Sequence, residues 1–322
     1  MPKRLLFPLI AILSFAGSGF AADLEVTSLN IHAQSLGAGA ATEAWEEYPS
    51  SRNPAALGLL RTSSPVQIEG NTSSAQAREC SLLLSQARLR YDAYAYQILF
   101  TSPLFGGGLG VRFDQLITQN QTYQRLLFNP DGTPVIDPLT NQQAWELKYD
   151  TRVDSAWGLA WGAPLEGGMS VGAEAQVIYL HLGEDFAWGW DGVVGLRWQV
   201  LPELAVAASA RQVSGGWHAW RKPYAEETGR PLVSLGCAWQ PPELPLRIGG
   251  GVSRRLDQSD RLRGRLGAEY TIYGPLTLRA GWDADHANLG ASFTWEAVTV
   301  DYAAILGGVL YDANRITVKV EF

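Results

Sequence analysis

The chain has 322 residues, 46% of them hydrophobic and only 18% charged, and its 32 acidic against 25 basic residues leave a net charge of −7. Soluble domains carry nearer a quarter charged residues, so a helical enzyme with a solvated surface is a poor fit, and the acidic balance excludes the basic footprint that nucleic-acid binding needs. Thirty-four glycines, 12 tryptophans and 12 tyrosines suit a molecule built of many strands, some of them facing lipid.

In chain order, Lys3 and Arg4 precede a short apolar run over 5–16, and Gly19 and Ala21 place small residues at a cleavage site. Residues 1–21 therefore read as a secretory signal peptide cleaved near Ala21, because the apolar run is too short to cross a bilayer as a helix. Export would bring Cys80 and Cys237 into an oxidising compartment. A disulfide and two separate thiols are both open readings. Residues 22–62 do not read as strand. The small-residue run 35–44 leads to Tyr48-Pro49-Ser50-Ser51-Arg52-Asn53-Pro54-Ala55-Ala56-Leu57, and Asn53-Pro54 marks a bend, since proline lacks an N–H and steers the preceding residue away from helix. An ordinary turn is the plain alternative.

From there to the end, no run of 18 apolar residues occurs; period-two alternation occurs instead. In 261–272, Leu262, Gly264, Leu266, Ala268, Tyr270 and Ile272 alternate with Arg261, Arg263, Arg265 and Glu269. In 314–322, Ile316, Val318, Val320 and Phe322 alternate with Arg315, Thr317, Lys319 and Glu321. Tyr149, Val153, Trp157, Leu159 and Trp161 do the same against Lys148, Asp150, Arg152 and Asp154. Strands are expected at 91–101, 108–117, 145–161, 169–182, 188–200, 204–213, 231–240, 246–256, 261–273, 276–283, 288–296, 298–306 and 314–322. Another near 65–71 makes about 14, and the stretch 78–85 could alter the count. Short proline-containing links (Ser102-Pro103-Leu104, Ala163-Pro164-Leu165, Leu201-Pro202-Glu203, Pro241-Pro242-Glu243, Gly274-Pro275-Leu276) alternate with longer, variable connections such as 118–144 and 214–230. Tight turns at one end and longer loops at the other are the habit of outer-membrane barrels. Phe100, Trp161, Trp198, Trp239, Tyr273 and Trp295 each stand just before a tight link, as an interfacial girdle would require.

The expected fold is therefore all-β: a transmembrane antiparallel β-barrel over 63–322, preceded by an N-terminal plug-like segment over 22–62. The expected location is the bacterial outer membrane, with outer-membrane lipid and the barrel-assembly machinery as partners; the closing Phe322 resembles the C-terminal signature by which such barrels are assembled. The glycine- and alanine-rich entry with its Asn53-Pro54-Ala55 motif, the Val300-Asp301-Tyr302-Ala303 segment and the last strand resemble PorV/PorQ-type proteins of the FadL-like outer-membrane superfamily. That resemblance implies a 14-stranded barrel with an N-terminal plug beside which Asn53, Pro54 and Ala55 would lie. The chain departs from the full fatty-acid transporter in its compact loops.

Chemistry of the catalytic kind is missing from the pattern. His32, His181, His218 and His286 fall in no metal-ligand spacing, and Asp283, Asp285 and His286 read first as a solvated loop tip. Gly168-Met169-Ser170-Val171-Gly172 matches a nucleophile-elbow string but opens a strand where a strand–turn–helix is required. Gly106-Gly107-Gly108-Leu109-Gly110 lacks the helix N-terminus of a phosphate site, and close strand packing is the simpler account. No enzyme, cofactor or metal is expected. Passage of a small hydrophobic ligand, handling of a secreted protein, and a passive envelope role are the competing readings. For the second, the loop 214–230 offers Trp217, Trp220, Arg221 and Tyr224, a mixture enriched at protein interfaces.

Overall fold

The computed structural model describes residues 44, 53–60, 80–89, 92–127, 129–130, 133–138, 142–183, 185–213, 217–220, 227–228, 231–256, 262–283, 286–306 and 313–322. A short 3-10 helix, η1 (Pro54–Leu59), precedes the strands β1 (Ser81–Leu89), β2 (Ala93–Leu104), β3 (Gly107–Leu126), β4 (Trp145–Pro164), β5 (Met169–Leu182), β6 (Asp185–Leu201), β7 (Leu204–Arg211), β8 (Trp217–Trp220), β9 (Glu227–Thr228), β10 (Leu232–Trp239), β11 (Leu246–Arg255), β12 (Arg263–Tyr273), β13 (Leu276–Asp283), β14 (His286–Trp295), β15 (Val298–Leu306) and β16 (Ala313–Glu321).

Fourteen of these close an antiparallel barrel. Each pairs with its neighbour in sequence, β7 passes over the small β8–β9 hairpin to pair with β10, and β16 returns to β1 with Ser81 opposite Glu321 and Ala87 opposite Arg315. The expected strand number holds, but the strand that completes it differs. It is β1, drawn from the ambiguous 78–85 stretch and the residues after it, while the expected strand at 65–71 lies outside the described residues. The hairpin widens the wall at the loop end, with β8 taking the edge of β6 beyond the end of β7, so that Ala187 stands opposite Trp220 and Trp190 opposite Trp217.

Two further differences have physical reasons. β3 and β4 are each 20 residues long and remain paired out to Leu126 and Trp145; β4 starts where expected, but β3 runs on past 117, so 118–126 of the expected loop 118–144 is strand. A strand that rises clear of hydrocarbon meets water on both faces; its backbone ladder persists while its alternation fades. The first tight link also falls later than the proline suggested. Pro103 is still in β2, opposite Gly108, and the turn is made by Phe105 and Gly106, whose φ values of 52° and 73° are those of a two-residue hairpin turn that matches strand twist.

The distribution of side chains is inverted relative to a soluble protein. Leu159, Leu266, Leu289 and Ile316 stand more than half exposed on the outer face, whereas Asp154, Asp301, Arg197 and Arg315 are buried on the inner one. Such a wall has oil outside and polar groups within, as a membrane-spanning barrel requires.

Candidate functional site

The interior is organised by the wall of β2–β6. Near the turn end, one register row crosses four consecutive strands as Gly108, Gly162, Gly172 and Gly195. All four sit at lumen-facing positions, so together they remove side chains from a strip of the inner wall. Onto this strip packs η1. A methyl group at Gly162 would come within 2.6 Å of the Pro54 carbonyl oxygen, and one at Gly172 within 2.5 Å of the Ala55 nitrogen. Gly58 returns the fit, since a methyl there would meet the Ala163 carbonyl carbon at 2.7 Å. The backbones approach as closely as they do because neither side carries a Cβ.

The bend itself is set by Asn53. Its side-chain oxygen accepts the Ala55 N–H at 3.1 Å, capping the 3-10 turn, and its Nδ2 donates to the Leu196 carbonyl of β6 at 3.3 Å. Proline at the first helical position surrenders no hydrogen bond there. Leu57 and Leu60 then bury against Ala160, and Leu57 is 1% exposed; a leucine so buried contributes about 1.5–3 kcal/mol. Ala44 lies on the same inner wall farther round, packed with Ala205, Ala207 and Ala238, and its carbonyl accepts from Arg197 Nε at 3.2 Å.

Beyond the glycine strip, toward the loop end, comes a belt of charge. Arg112 holds Asp114 (Nε to Oδ2, 3.2 Å) and Glu174 (Nη2 to Oε1, 2.7 Å), and Gln97 donates to Asp114 at 2.5 Å. On the far wall, Arg279 joins Glu269 at 2.5 Å and Asp301 at 3.0 Å, with Ser292 between Arg279 and Asp301. Above the first belt the lumen face of β1–β6 turns apolar: Ala87, Ala95, Leu116, Ala156, Ile178 and Leu180 form one buried cluster. Within it, between Leu116 on β3 and Leu180 on β5, stands Asp154. A hydrophobic patch inside a charged lumen is the feature that marks this interior as a site.

The residues singled out in the sequence are distributed unevenly over this geometry. Asn53, Pro54 and Ala55 are at its turn-end floor. Trp161, Trp198, Trp239 and Trp295 are on the outer face in the last residues of their strands, and Tyr273 ends β12 at 79% exposure. Trp198 Nε1 donates to the Gly167 carbonyl in the adjacent β4–β5 link at 3.2 Å. Trp217 and Trp220 bound β8, whereas Arg221 and Tyr224 lie outside the described residues. Cys80 and Cys237 are both free thiols; Cys80 donates to Ser102 Oγ at 3.3 Å and Cys237 is exposed on β10, so they do not form a disulfide with each other. Ser170 opens β5 with no helix behind it. The two glycine strings set aside in the sequence supply Gly108 and Gly172 of the strip. Close approach is the reason for them, but the partner is η1 as well as the neighbouring strand.

Comparison with protein-family models and with curated protein sequences finds no match. Solved structures do match. The toluene transporter TodX of Pseudomonas putida superposes with a TM-score of 0.60 at 12% identity, covering 95% of this chain and 99% of its own. The monoaromatic hydrocarbon channel CymD gives 0.56 at 11% identity, covering 92% and 99%. At such identities the likeness is one of fold: a 14-stranded barrel of the same general course.

Proposed function

We propose that this protein is a FadL-like channel of the bacterial outer membrane that passes small hydrophobic compounds, with its N-terminal segment as a plug. One observation carries the reading: an apolar patch faces the lumen of a closed barrel, with an inward-folded segment seated below it toward the turn end. A purely structural barrel has no use for apolar surface on its wet side, where each such side chain forgoes hydration without lipid to meet it. The fold shared with a toluene transporter and a monoaromatic hydrocarbon channel supports the same class of cargo. The outward Trp161, Trp198, Trp239, Tyr273 and Trp295 serve in this reading as the turn-side girdle against outer-membrane lipid, and the barrel-assembly machinery as the route of insertion.

Removing residues 23–60 tests the plug. In planar bilayers the truncated barrel is expected to show a higher single-channel conductance than the full chain, and in proteoliposomes faster toluene entry. Equal conductance and equal entry would remove the plug from the proposal.

A protein-handling role of the PorV type would place Trp217, Trp220, Arg221 and Tyr224 at a partner. The pairing of β8 with β6 favours it to the extent that it holds a short hairpin at the barrel rim. Replacing Trp217 and Trp220 by alanine should then abolish co-purification of a secreted protein while heat-modifiable gel mobility stays normal. Under the channel reading, toluene entry is unchanged by the same pair of substitutions.

A further inference from the structure

Asp154 is 0% exposed, yet it sits among the apolar side chains of the upper lumen, with Leu116 and Leu180 to its sides and Ala156 next on its own strand's inner face. Its Oδ1 accepts from Arg152 Nε at 2.8 Å, which accounts for half of the carboxylate. Its Oδ2 is buried and has no hydrogen-bond partner. A second acceptor stands at the patch margin. Gln97 points its amide nitrogen at Asp114, which turns its Oε1 away as an acceptor, and that oxygen too is buried and unpartnered. Leaving a buried acceptor unmade is costly, most of all for a charged one, so two such oxygens at one apolar patch point to something that supplies donors.

Resting on the channel reading above, we propose that this patch binds apolar compounds carrying a hydrogen-bond donor, an alcohol, phenol or amine head, with Asp154 Oδ2 as the principal acceptor and Gln97 Oε1 at the margin. The apolar body of the ligand lies on Leu116, Ala156, Ile178 and Leu180. The donor head satisfies the free carboxylate oxygen, a bond to a charged group and so among the stronger ones. A bare hydrocarbon would leave that oxygen unmade, and a carboxylate head would bring a third negative group beside Asp154 and Asp114.

Titration calorimetry of the full chain in nanodiscs, with empty nanodiscs as reference, can compare toluene, benzyl alcohol and benzoate, which share a ring and differ in head group. Benzyl alcohol is expected to bind at least about ten-fold more tightly than either of the others, the ratio a hydrogen bond to a charged group supports. Asp154→Asn keeps an acceptor for Arg152 and replaces the free oxygen by an N–H donor. It should erase the preference for benzyl alcohol over toluene and raise benzoate binding. Equal binding of toluene and benzyl alcohol to the native chain overturns the inference and leaves hydrophobic passage standing. Tightest binding by benzoate, or selectivity unmoved in a folded Asp154→Asn variant, overturns it as well. If none of the three binds, the patch is not a ligand site. Toluene entry into proteoliposomes then decides the channel reading separately.

Discussion

Gly172→Leu is expected to raise the conductance of the barrel without unfolding it. The position faces the lumen near the turn end of β5, where strand backbone generally welcomes a side chain, so the wall itself gains rather than loses by the change. What it cannot accommodate is the floor. Even a methyl group there would collide with the main chain of Pro54 and Ala55, and a main chain held by the Asn53 cap on one side and by Gly58 against Ala163 on the other has little freedom to step aside. The segment must leave the strip. An eight-stranded barrel fills with its own side chains while 16 to 18 strands leave an aqueous channel, so 14 strands cleared of this floor should conduct, with a rise on the order of ten-fold over the native chain in planar bilayers. Gly264→Leu serves as the control. It adds the same bulk on the outer face of β12, where the nearest atom to a new methyl is Trp282 Cζ3 at 4.0 Å, and should leave conductance as it was. A Gly172→Leu barrel that folds, conducts as the native chain does and still protects residues 53–60 from protease would show that the glycine strip does not hold the segment in place.

How much of this was legible in the sequence follows from what each signal encodes. Alternation reports a boundary between two solvents. Leu262 to Ile272 against Arg263 to Glu269 therefore read correctly as a lipid face and a lumen face, and the closure with Arg315 and Thr317 inward was readable the same way. Where the boundary ends, so does the signal, which is why the far half of β3 looked like loop. The strand over 81–89 was obscured because Ser85 and Ala87 face inward among Leu82, Leu83 and Leu84, a run that does not alternate cleanly. The floor was half visible. Asn53-Pro54-Ala55 announced a bend, and the glycines of 106–110 announced close approach, while the string 168–172 read only as a strand opening; a sequence does not say which backbone approaches which across more than a hundred residues. The apolar patch was hidden by its own composition. Ala87, Ala95 and Ala156 are too small to register as a hydrophobic face, and Ala156 follows in the polar series Lys148, Asp150, Arg152 and Asp154. Asp154 was read as an ordinary water-facing residue for the same reason; only the register that sets it between Leu116 and Leu180 shows its surroundings to be oily.

The largest loss of stability is expected from Arg279→Leu. This guanidinium on β13 is shared by two buried carboxylates that flank it, Glu269 of β12 at 2.5 Å and Asp301 of β15 at 3.0 Å, and it also donates to Ser292 of β14. Asp301 has no exposed surface, and Glu269 keeps Arg247 Nη1 at 3.6 Å, a longer and poorer contact. Replacing Arg279 by leucine matches much of the apolar stem but takes the shared cation from two buried negative groups in the lumen wall, and breaking a buried pair from one side costs about 3–5 kcal/mol. Lysine at the same place retains the charge but gives up the fork that reaches both carboxylates at once, so an intermediate loss is expected. The decisive comparison is a triple variant, Arg279→Leu with Glu269→Gln and Asp301→Asn. If the loss comes from stranded charge, removing the charge should return most of the stability, because a neutral cluster of similar shape is often no worse than the ion pair it replaces. Urea titration in detergent, read by heat-modifiable gel mobility, would order the four chains as native, triple, lysine, leucine, or with the triple variant first. A leucine variant within about 1 kcal/mol of native would mean that water enters the lumen at β12–β15 freely enough to screen both carboxylates, as it does for exposed pairs. In that event the far wall is the wet side of the pore, and the apolar patch on β1–β6 is the largest of the buried apolar clusters among the described residues that the lumen offers to a hydrophobic cargo.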